Sequence, residues 1–243
     1  AMKLRDDQGD PVDRLVNVLL HEDDDHIALY TQSGQVIRFT AADVRVFSGR
    51  GSLGVRGIRL RDDDTVMSAA VLKDAGTAPG EPGAYLSMAA RERKQDMGVN
   101  DDETSEPLND TRYEELKAAE QFVLSVTDRG YGRRTSSYAY RVTARGGLGV
   151  QDRARVKSIG EPVGSIAIED QQQLVLVTDL GQVIRIPADS IRITGRGAKG
   201  VRLFDIDDNE RVVSFAVVDP DPAQEGEPEP EAGENPTPPT AIP

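Results

Sequence analysis

The chain has 243 residues, no Cys and a formal net charge of −13. That length suits a sizeable core or several small repeats. The lack of Cys excludes disulfides and thiolate chemistry, and with no apolar run of transmembrane length it predicts a soluble, cytoplasmic chain with no membrane partner.

In chain order, residues 1–20 read as strand, acidic turn, strand. The same pattern recurs at 58–72, 155–168 and 202–218. Residues 21–26 (HEDDDH) follow as a polar loop. Two His and four acids raise a metal reading, but the matching loop at 169–173 (EDQQQ) keeps only the polarity, so a solvated hairpin loop is the better expectation. From Thr31 a second pattern begins, TQSGQVIRFTAADVRVFSGRGSLGVRGIRL, and it returns from Thr127 and from Thr178. It holds a T-x-x-G turn, an apolar strand carrying Arg, a short second strand, a glycine-basic loop and a third strand. Gly34 sits where a tight hairpin needs positive φ. With four closing halves and three opening halves, the chain is expected to start inside a repeat, as part of something longer.

The stretches 49–54 (GRGSLG) and 195–200 (GRGAKG) match G-x-G-x-x-G. A dinucleotide site needs a helix after the glycines, whereas here a strand is predicted at 55–58, so that reading is set aside. The alternatives left are a backbone that lies close to phosphates or a plain turn.

Thr31 to Thr127 spans 96 residues and Thr127 to Thr178 only 51, so about 45 are inserted. The insert occupies 73–120, with one helix expected over 84–97, an acidic disordered piece over 100–110 and a second helix over 111–121 capped by Thr111 or Asp110. Its role stays open between partner binding and passive insertion. Blades are expected over 1–72 and 121–218, and a disordered acidic tail over 219–243. The tail holds seven acids and the insert a net −6, which leaves the repeat body neutral.

A repeat of about 50 residues with three to four short strands predicts an all-β, propeller-like fold of about three and a half blades, left as an open arc. Alignment places Arg38, Arg134 and Arg185 on the first strand, Arg45, Arg141 and Arg192 on the second, and Arg50, Arg145 and Arg196 in the glycine loop. Arg56, Arg129, Arg133, Lys199 and Arg202 complete the candidate DNA-binding set, with Tyr131, Tyr138 and Tyr140 near the densest basic turn. Such a stripe suits sequence-tolerant phosphate contact. On residues alone, duplex binding and a protein-interaction propeller stay open together, and no nucleophile–base set supports an enzyme.

The units TQSGQVIRF…GVRGIRLRDDDTVMS, TDRGYGRRT…TARGGLGV and TDLGQVIRI…TGRGAKGVRL resemble the C-terminal domain of the gyrase protein GyrA, with the matching domain of topoisomerase IV as the nearest relative. The resemblance runs from residue 1 to about 218, the insert excepted. It implies a β-pinwheel of four-stranded blades that exchange strands and wrap double-stranded DNA around a basic rim. It also implies a holoenzyme with the gyrase A N-terminal domain and gyrase B (A2B2) that uses ATP and Mg to introduce negative supercoils. It implies no catalytic activity, cofactor or metal for this region, because the tyrosine-bearing cleavage domain is absent, and weaker wrapping than an intact domain, because the family's Q-R-R-G-G-K-G box is absent, with degenerate echoes at 143–149 and 194–200. It further implies that the acidic tail modulates wrapping.

Overall fold

A computed structural model describes residues 4, 13–49, 52–61, 63–96, 107–152 and 157–220. In chain order the strands are β1 (His26–Thr31), β2 (Gln35–Thr40), β3 (Val66–Leu72), β4 (Phe122–Thr127), β5 (Tyr131–Ser136), β6 (Val150–Gln151), β7 (Pro162–Ile168), β8 (Gln173–Thr178), β9 (Val183–Pro187), β10 (Val201–Arg202) and β11 (Val212–Val218). Helices α1 (Glu81–Asp96) and α2 (Asp110–Ala118) stand between β3 and β4.

Each repeat nucleates on one hairpin, and the T-x-x-G signature shows why. Gly34, Gly130 and Gly181 take φ of 80°, 70° and 86°, a region open to glycine at little cost. Their N–H groups donate to the carbonyls of Thr31, Thr127 and Thr178 at 2.9, 3.1 and 3.1 Å. The same threonine hydroxyls accept the N–H four residues on, from Gln35, Tyr131 and Gln182, at 3.1, 3.3 and 3.0 Å. Both turn residues recur because the turn uses both.

Three antiparallel sheets result, ordered β3-β1-β2-β6, β7-β4-β5-β10 and β11-β8-β9. The fourth strand of the first two blades comes from the following repeat: Val36 pairs with Val150, and Gly132 with Val201. Blades stack through β3 on β7 and β7 on β11. The central strand β4 is buried on both faces, with Val123 packed toward Tyr30, Leu72 and Tyr140, and Phe122, Leu124 and Val126 toward Leu174 and Leu176. Strand alternation delivers these two interfaces from one segment.

Several sequence expectations need correction. Residues 13–20, 44–46 and 55–58 form no strand. Each was read from alternation. Neighbours do lie beside two of them, since the Asn17 side chain donates to the Ala69 carbonyl at 3.5 Å and the Gly146 N–H to the Gly57 carbonyl at 2.7 Å, but among the described residues no run of backbone bonds forms a ladder there. Among the described residues the third blade has three strands, because its fourth would come from a following repeat. The cap of α2 lies one residue earlier than expected: the Asn109 side chain accepts from the Arg112 N–H at 2.8 Å. The insert otherwise folds as two helices clasped around Tyr138, with Tyr85, Ala89, Tyr113 and Leu116. The Tyr138 hydroxyl donates to the Leu116 carbonyl at 2.9 Å. Arg112 bridges to Glu81 at 2.8 Å and holds its carboxyl down to about 2. Tyr138, expected beside the basic turn, is thus the anchor of the insert. Residues 97–106 of the insert and 221–243 of the tail lie outside the described residues.

Candidate nucleic-acid interface

The repeated basic residues sort into three environments, set by register and by whether a following repeat covers the strand. Arg38, Arg133 and Arg134 are buried, at 6%, 3% and 5% exposure. The candidate DNA contacts placed on them are therefore corrected: side chains buried to this degree are held inside the blade junctions and are not presented at the surface to a phosphate. Arg38 donates to the carbonyls of Ser137 (2.8 Å) and Tyr140 (3.3 Å) in the next repeat. Arg134 stands at the same register one blade on. It donates to the Ile191 carbonyl at 3.1 Å, pairs with Asp170 and lies 4.9 Å over the Phe122 ring. These two arginines tie each blade to its successor.

Arg133 takes the place that Ile37 and Ile184 hold in the other repeats. It faces the core, pairs with buried Asp152 at 2.8 Å and donates to the carbonyls of Arg196 and Ala198. Burial pushes the Asp152 carboxyl up, and the Arg133 charge opposes that shift. The apolar residues at the same register in the other two repeats were the signal that this arginine points inward.

Arg145 and Arg196 are partly buried and join neighbouring loops. Arg145 donates to the carbonyls of Asp43 (3.3 Å) and Arg56 (2.8 Å), and Arg196 to that of Ala139 (3.2 Å). Asp43 and Ala139 are equivalent positions, so this bond is also a repeat feature.

The third environment is solvent. Arg45, Arg56, Arg129, Arg141, Arg185, Arg192, Lys199 and Arg202 are exposed. Arg202 is engaged by Asp205 at 2.5 Å and lies over the Tyr131 ring. Arg45, Arg141 and Arg192 stand one per repeat at one register, and none takes part in a salt bridge among the described residues. Arg45 stacks on Phe47 at 5.5 Å, which leaves its donors free. Arg50 lies outside the described residues.

The acidic loop offers a cluster of Glu22, Asp24 and Asp25 whose oxygens lie within 4.8 Å of one another. The Lys73 ammonium sits 3.1 Å from Asp25 and 3.2 Å from Glu22, in the place a cation would take. One ammonium offsets only part of the charge of three carboxylates, and it engages Glu22 and Asp25, which accounts for two of the three donors without a metal.

His26 beside this loop is buried and its Nδ1 faces Arg38 Nη2 at 2.9 Å. Arg can only donate, so Nδ1 is the acceptor and the ring is neutral. Burial, then the Arg38 charge, holds its pKa below the usual value, against the opposing pull of Asp74, Asp25 and Asp24. The unfolded chain, with His near 6.5, then takes up the proton first. Stability is full above about pH 6.5 and falls as pH drops through the window below it. Urea midpoints at pH 8 and pH 5.5 check this. His26→Gln, which keeps an acceptor, is expected to flatten the drop, and an unchanged drop counts against the assignment.

Among the described residues no helix is long and apolar enough to cross a membrane. The family described as "DNA gyrase C-terminal domain, beta-propeller" matches residues 25–73, 121–156 and 172–219. The matched segments skip 74–120, where the two helices lie. The chain is 38% identical over 212 residues to the GyrA protein of DNA gyrase from Rickettsia bellii (strain RML369-C), covering 86% of this chain and 23% of that one. It is 39% identical over 231 residues to the GyrA protein from Granulibacter bethesdensis (strain ATCC BAA-1260 / CGDNIH1), covering 88% and 24%. It thus spans about a quarter of the length of these relatives. Among solved structures, the C-terminal domain of DNA topoisomerase IV aligns with a TM-score of 0.61 at 18% identity, covering 84% of this chain and 50% of that one. The E. coli ParC C-terminal domain aligns at 0.51 and 12% identity, covering 82% and 64%. These two likenesses speak to the fold.

Proposed function

Because this chain belongs to the DNA gyrase C-terminal domain family, we propose that it is a DNA-wrapping module of a type IIA topoisomerase, bending duplex along the outward arginine row. The observation that carries this reading is the register of Arg45, Arg141 and Arg192: one exposed guanidinium per blade, each outside any salt bridge among the described residues. Repetition by blade turns three local charges into a curved track. A track of guanidiniums neutralises phosphates and releases counterions without reading bases. Arg56, Arg129, Arg185 and Lys199 lie exposed as further contacts to the same backbone.

The net charge of −13 does not oppose this, because the surplus acid sits in the insert and the tail. In the full assembly, the reading places this module beside a strand-cleaving domain and an ATP-using partner protein (A2B2) in the cytoplasm, where wrapping supports negative supercoiling. The module itself supplies no nucleophile. Tyr30, Tyr85, Tyr113, Tyr138 and Tyr140 are buried, and the Tyr131 ring lies under Arg202. Burial raises the hydroxyl pKa of Tyr30 and Tyr140, the reverse of what an activated phenolate needs.

Fluorescence anisotropy with short and long duplexes across a salt series tests the reading. Binding is expected to tighten with duplex length and to fall steeply with salt. Weak binding that ignores length favours a protein-interaction propeller.

A further inference from the structure

The charges of α1 are sorted by side. Glu81 pairs with Arg112 of α2 at 2.8 Å, and Glu92 with Lys117 of α2 at 2.6 Å. Glu92 also accepts from the Tyr113 hydroxyl at 2.5 Å. With Tyr85 and Ala89, these acids make up the side of the helix that packs into the clasp around Tyr138. Ser87, Arg91 and Lys94 follow one another at spacings of four and three residues, so they share a stripe on nearly the opposite side. Two acids are thus held inside the clasp, and bases are left outside it. Of the bases in this stretch, Arg93 is held by Glu120 at 3.2 Å, whereas Nη2 of Arg91 has no hydrogen-bond partner among the described residues.

The helix lies along the outward arginine row. At its start, Gly80, Pro82 and Gly83 line a groove of about 900 Å³ with Arg141 and Val142. Further along, Ala90, Arg93 and Lys94 line a second groove of about 510 Å³, with Arg192 and Thr194 across it. Leu86 belongs to both grooves, and no residue of α2 lines either. The helix therefore reaches from the arginine of the second blade to that of the third. Its 16 residues span about 24 Å, the axial length of about seven phosphates on each strand of a duplex. The attachment is firm. The Tyr85 ring lies 5.3 Å from that of Tyr113 and 4.9 Å from that of Tyr138, and Tyr138 stands three residues before Arg141. Arg141 is exposed in a blade whose fourth strand is in place, so this register faces outward in a complete blade.

The geometry points to α1 as a segment of the DNA track: a phosphodiester backbone passing from Arg141 to Arg192 runs along its outer stripe, where Arg91 and Lys94 contact phosphates. This rests on the outward row being the path of the duplex. A groove with bases on both walls attracts a polyanion. Contacts of this kind read no bases, so the insert lengthens the track and leaves its sequence tolerance unchanged.

The test is a duplex titration of the full 243-residue chain across a salt series. Arg91→Ala with Lys94→Ala is expected to lower the salt slope by about 1.8, at about 0.9 per phosphate, and to weaken binding by about 10- to 100-fold at about 0.1 M salt. The circular dichroism spectrum is expected to stay that of the parent. A second readout reports contact directly. The chain has no Cys, so Ser87→Cys carries a single photo-crosslinker on the stripe and Glu114→Cys a single one on α2. Crosslinks to duplex are expected from Ser87→Cys and not from Glu114→Cys. If the triple change of Arg45, Arg141 and Arg192 to Ala lowers the slope and the Arg91 and Lys94 pair does not, the row is the track and α1 is no part of it. Absence of a crosslink from Ser87→Cys, or an equal yield from Glu114→Cys, also overturns the proposal. If neither set of changes moves the slope, the reading of the row falls and this proposal falls with it.

Discussion

Arg133→Ala is expected to destabilise the fold by about 3–5 kcal/mol, the cost of leaving one member of a buried ion pair alone. The Asp152 carboxylate is 5% exposed and lies 2.8 Å from the guanidinium. Removing Arg133 leaves that carboxylate without its counter-charge and strips the carbonyls of Arg196 and Ala198 of their donor. Against a typical total of about 5–15 kcal/mol, such a loss unfolds a large share of the chain at moderate temperature. Ile37 and Ile184 show that the same register accepts an apolar side chain. The double variant Arg133→Ile with Asp152→Leu is therefore expected to regain most of the loss, since an apolar pair often replaces a buried ion pair at no net cost. Chemical denaturation of Arg133→Ile, of Asp152→Leu and of the double variant measures the coupling. A coupling below about 1 kcal/mol shows that the pair does not act as a unit.

The triple change Arg45→Ala, Arg141→Ala and Arg192→Ala is expected to act on DNA and spare the fold. The three side chains are exposed, so the loss of stability should stay near the usual surface scatter of about 0.5 kcal/mol. Each phosphate neutralised adds about 0.9 to the salt slope, so losing three lowers the slope by about 2.7. At about 0.1 M salt that amounts to between 10²- and 10³-fold in affinity. Arg38→Ala gives the opposite pattern, a fall in stability with the salt slope of the remaining folded protein retained. If the triple variant binds as tightly as the parent with an unchanged slope, the outward row is not the track.

The hairpins and the register of the repeat were legible in the sequence, because Thr31, Gly34 and their equivalents are fixed by backbone geometry that no distant contact alters. Sidedness was less legible. Counting arginines by column treated Arg38 and Arg45 alike, although Arg38 and Arg134 run under the next blade while Arg45, Arg141 and Arg192 face water. Column identity alone carries no sign of direction. Comparing columns does: Arg133 against Ile37 and Ile184 marks an inward residue whose charge needs a partner. The missing strands at 44–46 and 55–58 have another cause. Alternation records that a segment can pair, whereas a strand needs a run of partners, and Gly57 and Arg59 meet only the turn at Gly146 and Gly147.

The donated fourth strand also sets an order of events during synthesis. Strands β1 to β3 are complete once Leu72 has been made, yet the strand that finishes their sheet begins at Val150. At 5–20 residues per second, translation of the intervening 78 residues takes about 4–16 s. The edge of β2 stays open for that interval, exposed to any passing strand, and the insert between β3 and β4 makes up more than half of the delay. The ribosome thus hands the cell a half-zipped sheet. Shortening the insert is a change in timing as well as in surface.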